Sequence, residues 1–197
     1  MFTEDYLLRI INQALAVLMT AIGLRKRGKG SEASQVIEQA IEQVTSIPAN
    51  IVDGLGDDSL LNLLSGQGKL NPERLALLAD IFQEQGEIQL LLDQPQQGWA
   101  AFARALRFHL EAVLAEASDP SAEEILKIDG MVERLQEQPL ADETKLALGD
   151  HYQRLLTMDD RSLEAAGTSL VKIHQSLARL QTQPGPLINT SKNSSDG

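Results

Sequence analysis

The chain has 197 residues, 43% of them hydrophobic and 4% aromatic, with no cysteine and a formal charge of −11. That is enough apolar material for one ordinary core or a short stack of helical repeats, and it excludes collagenous, disordered and membrane-embedded classes for the bulk of the chain. Without thiols there can be no disulfide, thiolate zinc site, iron–sulfur cluster or cysteine nucleophile, and the acidic balance argues against a nucleic-acid binder, which needs a concentrated basic face.

Thr3, Glu4 and Asp5 form a good helix start, and the recurrence of Leu7, Ile10, Ile11, Ala14, Leu18, Ala21 and Ile22 predicts one apolar face as far as about Arg27. The longest apolar run, Ala14 to Leu24, falls short of the roughly 18 residues a membrane span needs, so no membrane partner is expected. Acidic residues stand where a secretion signal would be basic, which reads as cytoplasmic. Gly28 and Gly30 break the helix, and a second runs from Ser31 to about Ser46, before Pro48. Residues 49 to 70 are rich in glycine and suggest one short helix, Ser59 to Leu64, capped by Asp57 or Asp58.

Asn71 as cap and Pro72 at the first helical position open a long helix that should bury Leu75, Leu78, Ala79, Phe82 and Gly86. Pro95 opens its partner, which runs to about Ala117, and Asp119-Pro120 marks a boundary. Three further helical patterns follow at Ala122–Gln136, Asp142–Leu156 and Asp160–Leu180; from Pro184 the sequence is polar and aperiodic, a predicted disordered tail.

The two front hairpins are alike. Ala33, Ile37, Ala40 and Ile41 in the first match Gly98, Phe102, Ala105 and Leu106 in the second, and a small residue stands twelve positions before each, Ala21 and Gly86. A small residue facing a small residue lets two helices approach closely, which is the logic of tetratricopeptide pairs. Leu148, Gly149 and Tyr152 echo a first helix, but Arg161 occupies the small position of the second, so residues 119 to 183 read as a degenerate repeat or a cap. Trp99 falls at a position that packs between neighbouring helices. The domain reading is therefore residues 1–118 as a tetratricopeptide-like unit, 119–183 as an additional helical segment and 184–197 as tail.

Catalytic patterns are weak. Gly23 to Lys29 has the glycine spacing of a phosphate loop, but Gly30 replaces the magnesium-binding hydroxyl and a helix precedes it where a strand belongs. His109, His151 and His174 lack partners at helical ligand spacings and read as surface or lightly packed residues. No enzyme activity, metal or cofactor is expected.

Charge is unevenly placed: the first thirty residues hold five basic and two acidic side chains, while Lys29 to Lys69 encloses only acids. The cluster Arg25, Lys26, Arg27 and Lys29 therefore reads either as intramolecular neutralisation with cations at a helix C-terminus or as a site for an anion. In the repeat register the first helices would line a concave face with Arg25, Lys26, Asp80, Gln83 and Glu87, a surface for a protein or peptide partner. The alternatives are a homodimer that shares hairpin faces and a regulator sensing a small anionic ligand.

MFTEDYLLRIINQALAVL, with GLRKRG after it, then LALLADIFQEQGEI and GWAAFARAL, resembles a family of uncharacterised bacterial proteins, mainly from Firmicutes, with a tetratricopeptide-like helical fold. The resemblance covers about the first 115 residues and leaves the segment from Asp119 as an addition. It implies an all-α fold, with no assigned activity. Val17, Leu24, Gln85 and Gln89 depart from the repeat consensus, which implies diverged repeats and a short groove.

Overall fold

A computed structural model describes residues 2–65 and 70–182, with side chains from Asp5 to Leu180, and every regular element among them is an α-helix. In chain order these are α1 (Phe2–Lys26), α2 (Gly30–Thr45), α3 (Ala49–Gly54), α4 (Asp57–Leu64), α5 (Pro72–Leu91), α6 (Pro95–Ala115), α7 (Ala122–Arg134), α8 (Asp142–Leu155), α9 (Asp160–Ala165) and α10 (Leu170–Thr182). The cap expected at Thr3 and the tail from Pro184 lie outside the described side chains.

Three helices end in the same turn. Gly28, Asp93 and Gly167 adopt left-handed backbone with φ of 74°, 58° and 69°. At the first, the Lys29 N–H donates to Leu24 O at 3.1 Å and the Gly28 N–H to Arg25 O at 2.8 Å; Gln94 with Gln89 and Thr168 with Leu163 repeat the longer bond. This double bond pattern satisfies the last carbonyls of a helix and reverses the chain in two or three residues. It makes antiparallel hairpins of α1/α2 and α5/α6. The glycines at 23, 28 and 30 are thus accounted for by a helix and its turn, with no strand before them. The third turn splits the single helix expected over Asp160–Leu180 into α9 and α10.

The matched small residues sit at the helix contacts. Ala21 and Ala33 are fully buried in the first hairpin. In the second, a Cβ added at Gly86 would stand 2.7 Å from the Phe102 ring, and one at Gly98 would stand 3.2 Å from the Gly86 carbonyl. All five residues expected on the buried side of α5 are buried, and Phe82 meets Phe108 edge-on with centroids 5.4 Å apart. Trp99 is half-buried, its ring 5.8 Å from that of Phe102.

The hairpins form a continuous core: α2 packs on α5, α6 packs on α8 and α7, and α10 closes against α8. Arginines tie the layers together at helix ends, where the last carbonyls keep acceptor capacity that the helix does not use. Arg74 Nε donates to Val44 O at 2.8 Å, Arg104 Nη1 to Val52 O at 3.1 Å, and Arg154 Nη1 to Val113 O at 2.8 Å. Two helices, α3 and α4, replace the single short one expected between residues 49 and 70. Asp57 and Asp58 are not caps, since they bind Arg104 at 2.7 Å and Arg107 at 3.3 Å.

Gly86→Ala should destabilise the fold by about 1–3 kcal/mol, because the added carbon overlaps an aromatic ring that packing holds in place. Gly130→Ala, with nothing within 4 Å of the added carbon, should stabilise it by about 0.5–1 kcal/mol through helix propensity. Urea unfolding of both variants measures the contrast.

Candidate functional site

Asp80, Gln83 and Glu87 recur at three and four residues and share a face of α5, as the register requires. That face is occupied by the chain itself. Lys127 Nζ lies 3.2 Å from Asp80 Oδ1, and Arg134 binds Glu87 while its guanidinium carbon stands 3.9 Å from the Phe102 ring centroid. Helix α7 therefore lies over the groove expected for a partner, leaving a cavity of about 280 Å³ lined by Gln83, Phe102, Leu126, Lys127, Gly130, Met131 and Arg134. Burial pushes the Asp80 carboxyl up, but His109 and Lys127 outweigh it and hold the group below the usual carboxylate range.

The basic cluster is largely neutralised within the molecule. Arg25 meets the carboxylate of Glu84 through two nitrogens, at 2.5 and 3.0 Å, and Glu84 is only 7% exposed. This pairing holds the Arg25 guanidinium above its ordinary range and compensates a buried charge that would otherwise be costly. Lys29 binds Glu32 at 2.9 Å, and Arg27 Nε donates to Gly23 O at 3.0 Å. Lys26 is exposed. Thus Arg25 and Lys26, neighbours in the sequence, face different surroundings: one is fixed to α5 and the other points to solvent.

A larger concavity lies where sequence reasoning proposed none. Between α7, α8 and α10 is a cleft of about 760 Å³ whose apolar lining includes Val132, Leu135, Leu140, Leu148, Ile173 and Leu180. Asp129, Glu133 and Glu137 line its α7 side, and Lys172 and Arg179 its α10 side. Burial pushes the Tyr152 phenol up to about 12, opposed in part by Ser176, and it pushes the Asp129 carboxyl up against the pull of Lys172. The signal for this cleft was the apolar stripe of α10, Ile173, Leu177 and Leu180. It was hidden because α9 and α10 read as one helix.

The model of a family of unknown function, DUF6483, matches residues 1–185. The chain belongs to the DUF6483 family. The match runs past Asp119, so α7 to α10 lie within the DUF6483 span, beyond the first 115 residues that the resemblance was expected to cover. No curated protein and no solved structure matches the chain.

Two histidines of this DUF6483 chain depart from expectation. His109 is buried with Nε2 3.3 Å from Asp80 Oδ1, and His151 is completely buried on α8, with no hydrogen-bond partner for either ring nitrogen among the described residues. Only His174 is exposed. Apolar neighbours, rather than other histidines or acids in the sequence, decided the burial of His151 on the inward face that also carries Leu148 and Leu155. Desolvation pulls its pKa from 6.5 down to about 4; Arg154 pushes the same way and Glu124 opposes. The unfolded chain therefore binds this proton more readily than the folded one, and stability is full above pH 6.5 and falls as the pH drops toward 4. The loss from His151 should reach about 3 kcal/mol at pH 4. Urea unfolding at pH 7.5 and pH 4 should give a smaller drop for His151→Leu than for the parent chain, and equal drops would refute the assignment.

Proposed function

We propose that this chain is a non-catalytic interaction module built from tetratricopeptide-like hairpins, working in the cytoplasm, and that its partner is an amphipathic helical segment received by the α7/α8/α10 cleft. The hairpin reading is supported by the paired small residues, Ala21 with Ala33 and Gly86 with Gly98, and by the left-handed turns at Gly28 and Asp93. The cleft carries the binding reading. Its volume of about 760 Å³ falls in the range typical of ligand-holding sites, and helix-in-groove recognition uses an apolar floor of this kind.

The charges around the cleft favour a particular ligand. Asp129, Glu133 and Glu137 line it along α7, so an apolar helix with basic side chains on that flank would be complementary. The α5 face of Asp80, Gln83 and Glu87, and the anion reading of Arg25 to Lys29, are less favoured because most of those side chains are committed to internal partners.

Panning the full chain against a display library of helical peptides tests this. Enriched peptides should carry aliphatic residues at positions i, i+3 or i+4 and i+7, and should lose at least about tenfold in affinity to Ser176→Trp, which fills the cleft. Peptides that keep their affinity for Ser176→Trp but lose it to Gln83→Trp would place recognition on α5 instead.

A further inference from the structure

Helix α1 is apolar over more of its surface than the fold covers. Ala14, Leu18, Ala21 and Leu24 are buried, on a helix packed against α2 and α5. Next to that face Leu8, Leu15 and Met19 are 50%, 45% and 60% exposed, and Ile11 and Ile22, half-buried where they pack against the core, border them. Leu8, Ile11, Leu15 and Ile22 fall at a, d, a and a of two heptads, and Met19, one place past the buried Leu18 at the second d, completes a stripe whose steps are three, four, four and three, a mean of 3.5. Those steps read the same in both directions about Leu15.

We infer that α1 is the interface of an antiparallel homodimer, with a two-fold axis passing beside Leu15. In that register Leu8 of one copy meets Ile22 of the other, Ile11 meets Met19, and Leu15 meets itself. Charge supports the direction. Asp5 is exposed near the first turn and Lys26 is exposed in the last, so antiparallel pairing sets each acid beside the other copy's base, twice per dimer, whereas parallel pairing would set like against like. Opposed helix dipoles favour the same direction.

The segment Asp5–Lys26 is long and apolar enough to cross a membrane by length and composition. The run counted from Ala14 hid this, because a window that tolerates Arg9 reaches further. Crossing would strip α2 and α5 from the buried face and part Arg25 from Glu84, whereas a second copy covers only the face left open. The seam is independent of the cleft between α7, α8 and α10.

The absence of native cysteine makes a direct test of the full chain simple. Light scattering should give twice the 21.5 kDa of one chain, and Leu15→Glu with Met19→Glu should return the mass to that of a monomer with unchanged helicity. Leu15→Cys should crosslink to itself through a short bis-maleimide, whereas Leu8→Cys should crosslink only when mixed with Ile22→Cys. Lys26→Asp should weaken association several-fold, and adding Asp5→Lys should restore it. A monomer mass for the parent chain, a dimer indifferent to the two glutamates, or Leu8→Cys crosslinking readily to itself would overturn the proposal. Sedimentation of a monomeric chain with anionic phospholipid vesicles, abolished by the two glutamates, would assign the face to a membrane surface and overturn it as well.

Discussion

Three carboxylates on one helix hold the molecule together from both ends. Asp80, Glu84 and Glu87 lie on α5, and each is met by a base from another element: Lys127 and His109, Arg25, and Arg134. Glu84 is nearly buried, where an unpaired charge would cost several kcal/mol, so its two-nitrogen contact with Arg25 fixes the end of α1 against α5. The pairs made by Lys127 and Arg134 draw α7 across the face on which a short helical stack would otherwise present its groove. An acidic chain can assemble this way because its few bases are placed opposite these acids.

The elements of the front half were legible because their signals are local. Asn71 accepts from the Arg74 N–H at 2.7 Å as a cap, Pro72 and Pro95 stand at helix starts, and Gly86 meets Phe102 where matched small residues implied close approach. The back third was harder. Gly167 ends α9 in a left-handed turn, but flanking helical periodicity on both sides disguised it. Charge pairing was the least legible feature: Arg25 and Glu84 are fifty-nine positions apart, and no local pattern tells whether a basic helix end faces solvent or a distant acid. Asp80, Gln83 and Glu87 share a face of α5, which their spacing made legible, while Arg25 and Lys26 face different surroundings and the helix lying over the α5 face came from a segment read as an appendage. His151 was misread for a similar reason, because burial of a lone histidine depends on what tertiary packing lays against it.

The order of packing, α1 and α2 on α5, α5 on α6, and α6 on α8 with α10 beyond, puts the open face of α1 and the α7/α8/α10 cleft at opposite ends of the chain of contacts. A dimer joined through α1 would leave both clefts outward and available. On the proposed function, two peptide sites carried on one dimer would gain avidity for a partner with two copies of the recognised segment, without any added contact. Such an arrangement would call for a stiff middle, and α5 and α6 approach closely there at Gly86 and Gly98.

Whether α7 is a fixed part of the structure or a cover that opens decides between an internal seam and a hidden groove on α5. Native-state amide hydrogen exchange followed by mass spectrometry answers this directly. If the pairs to Asp80 and Glu87 seat α7 permanently, its amides and those of α5 should exchange together, by global unfolding, with free energies that fall together as urea is added. Rapid exchange of α7 while α5 and α6 stay protected would contradict that, and would return the face of Asp80, Gln83 and Glu87 to service as a groove uncovered by local opening.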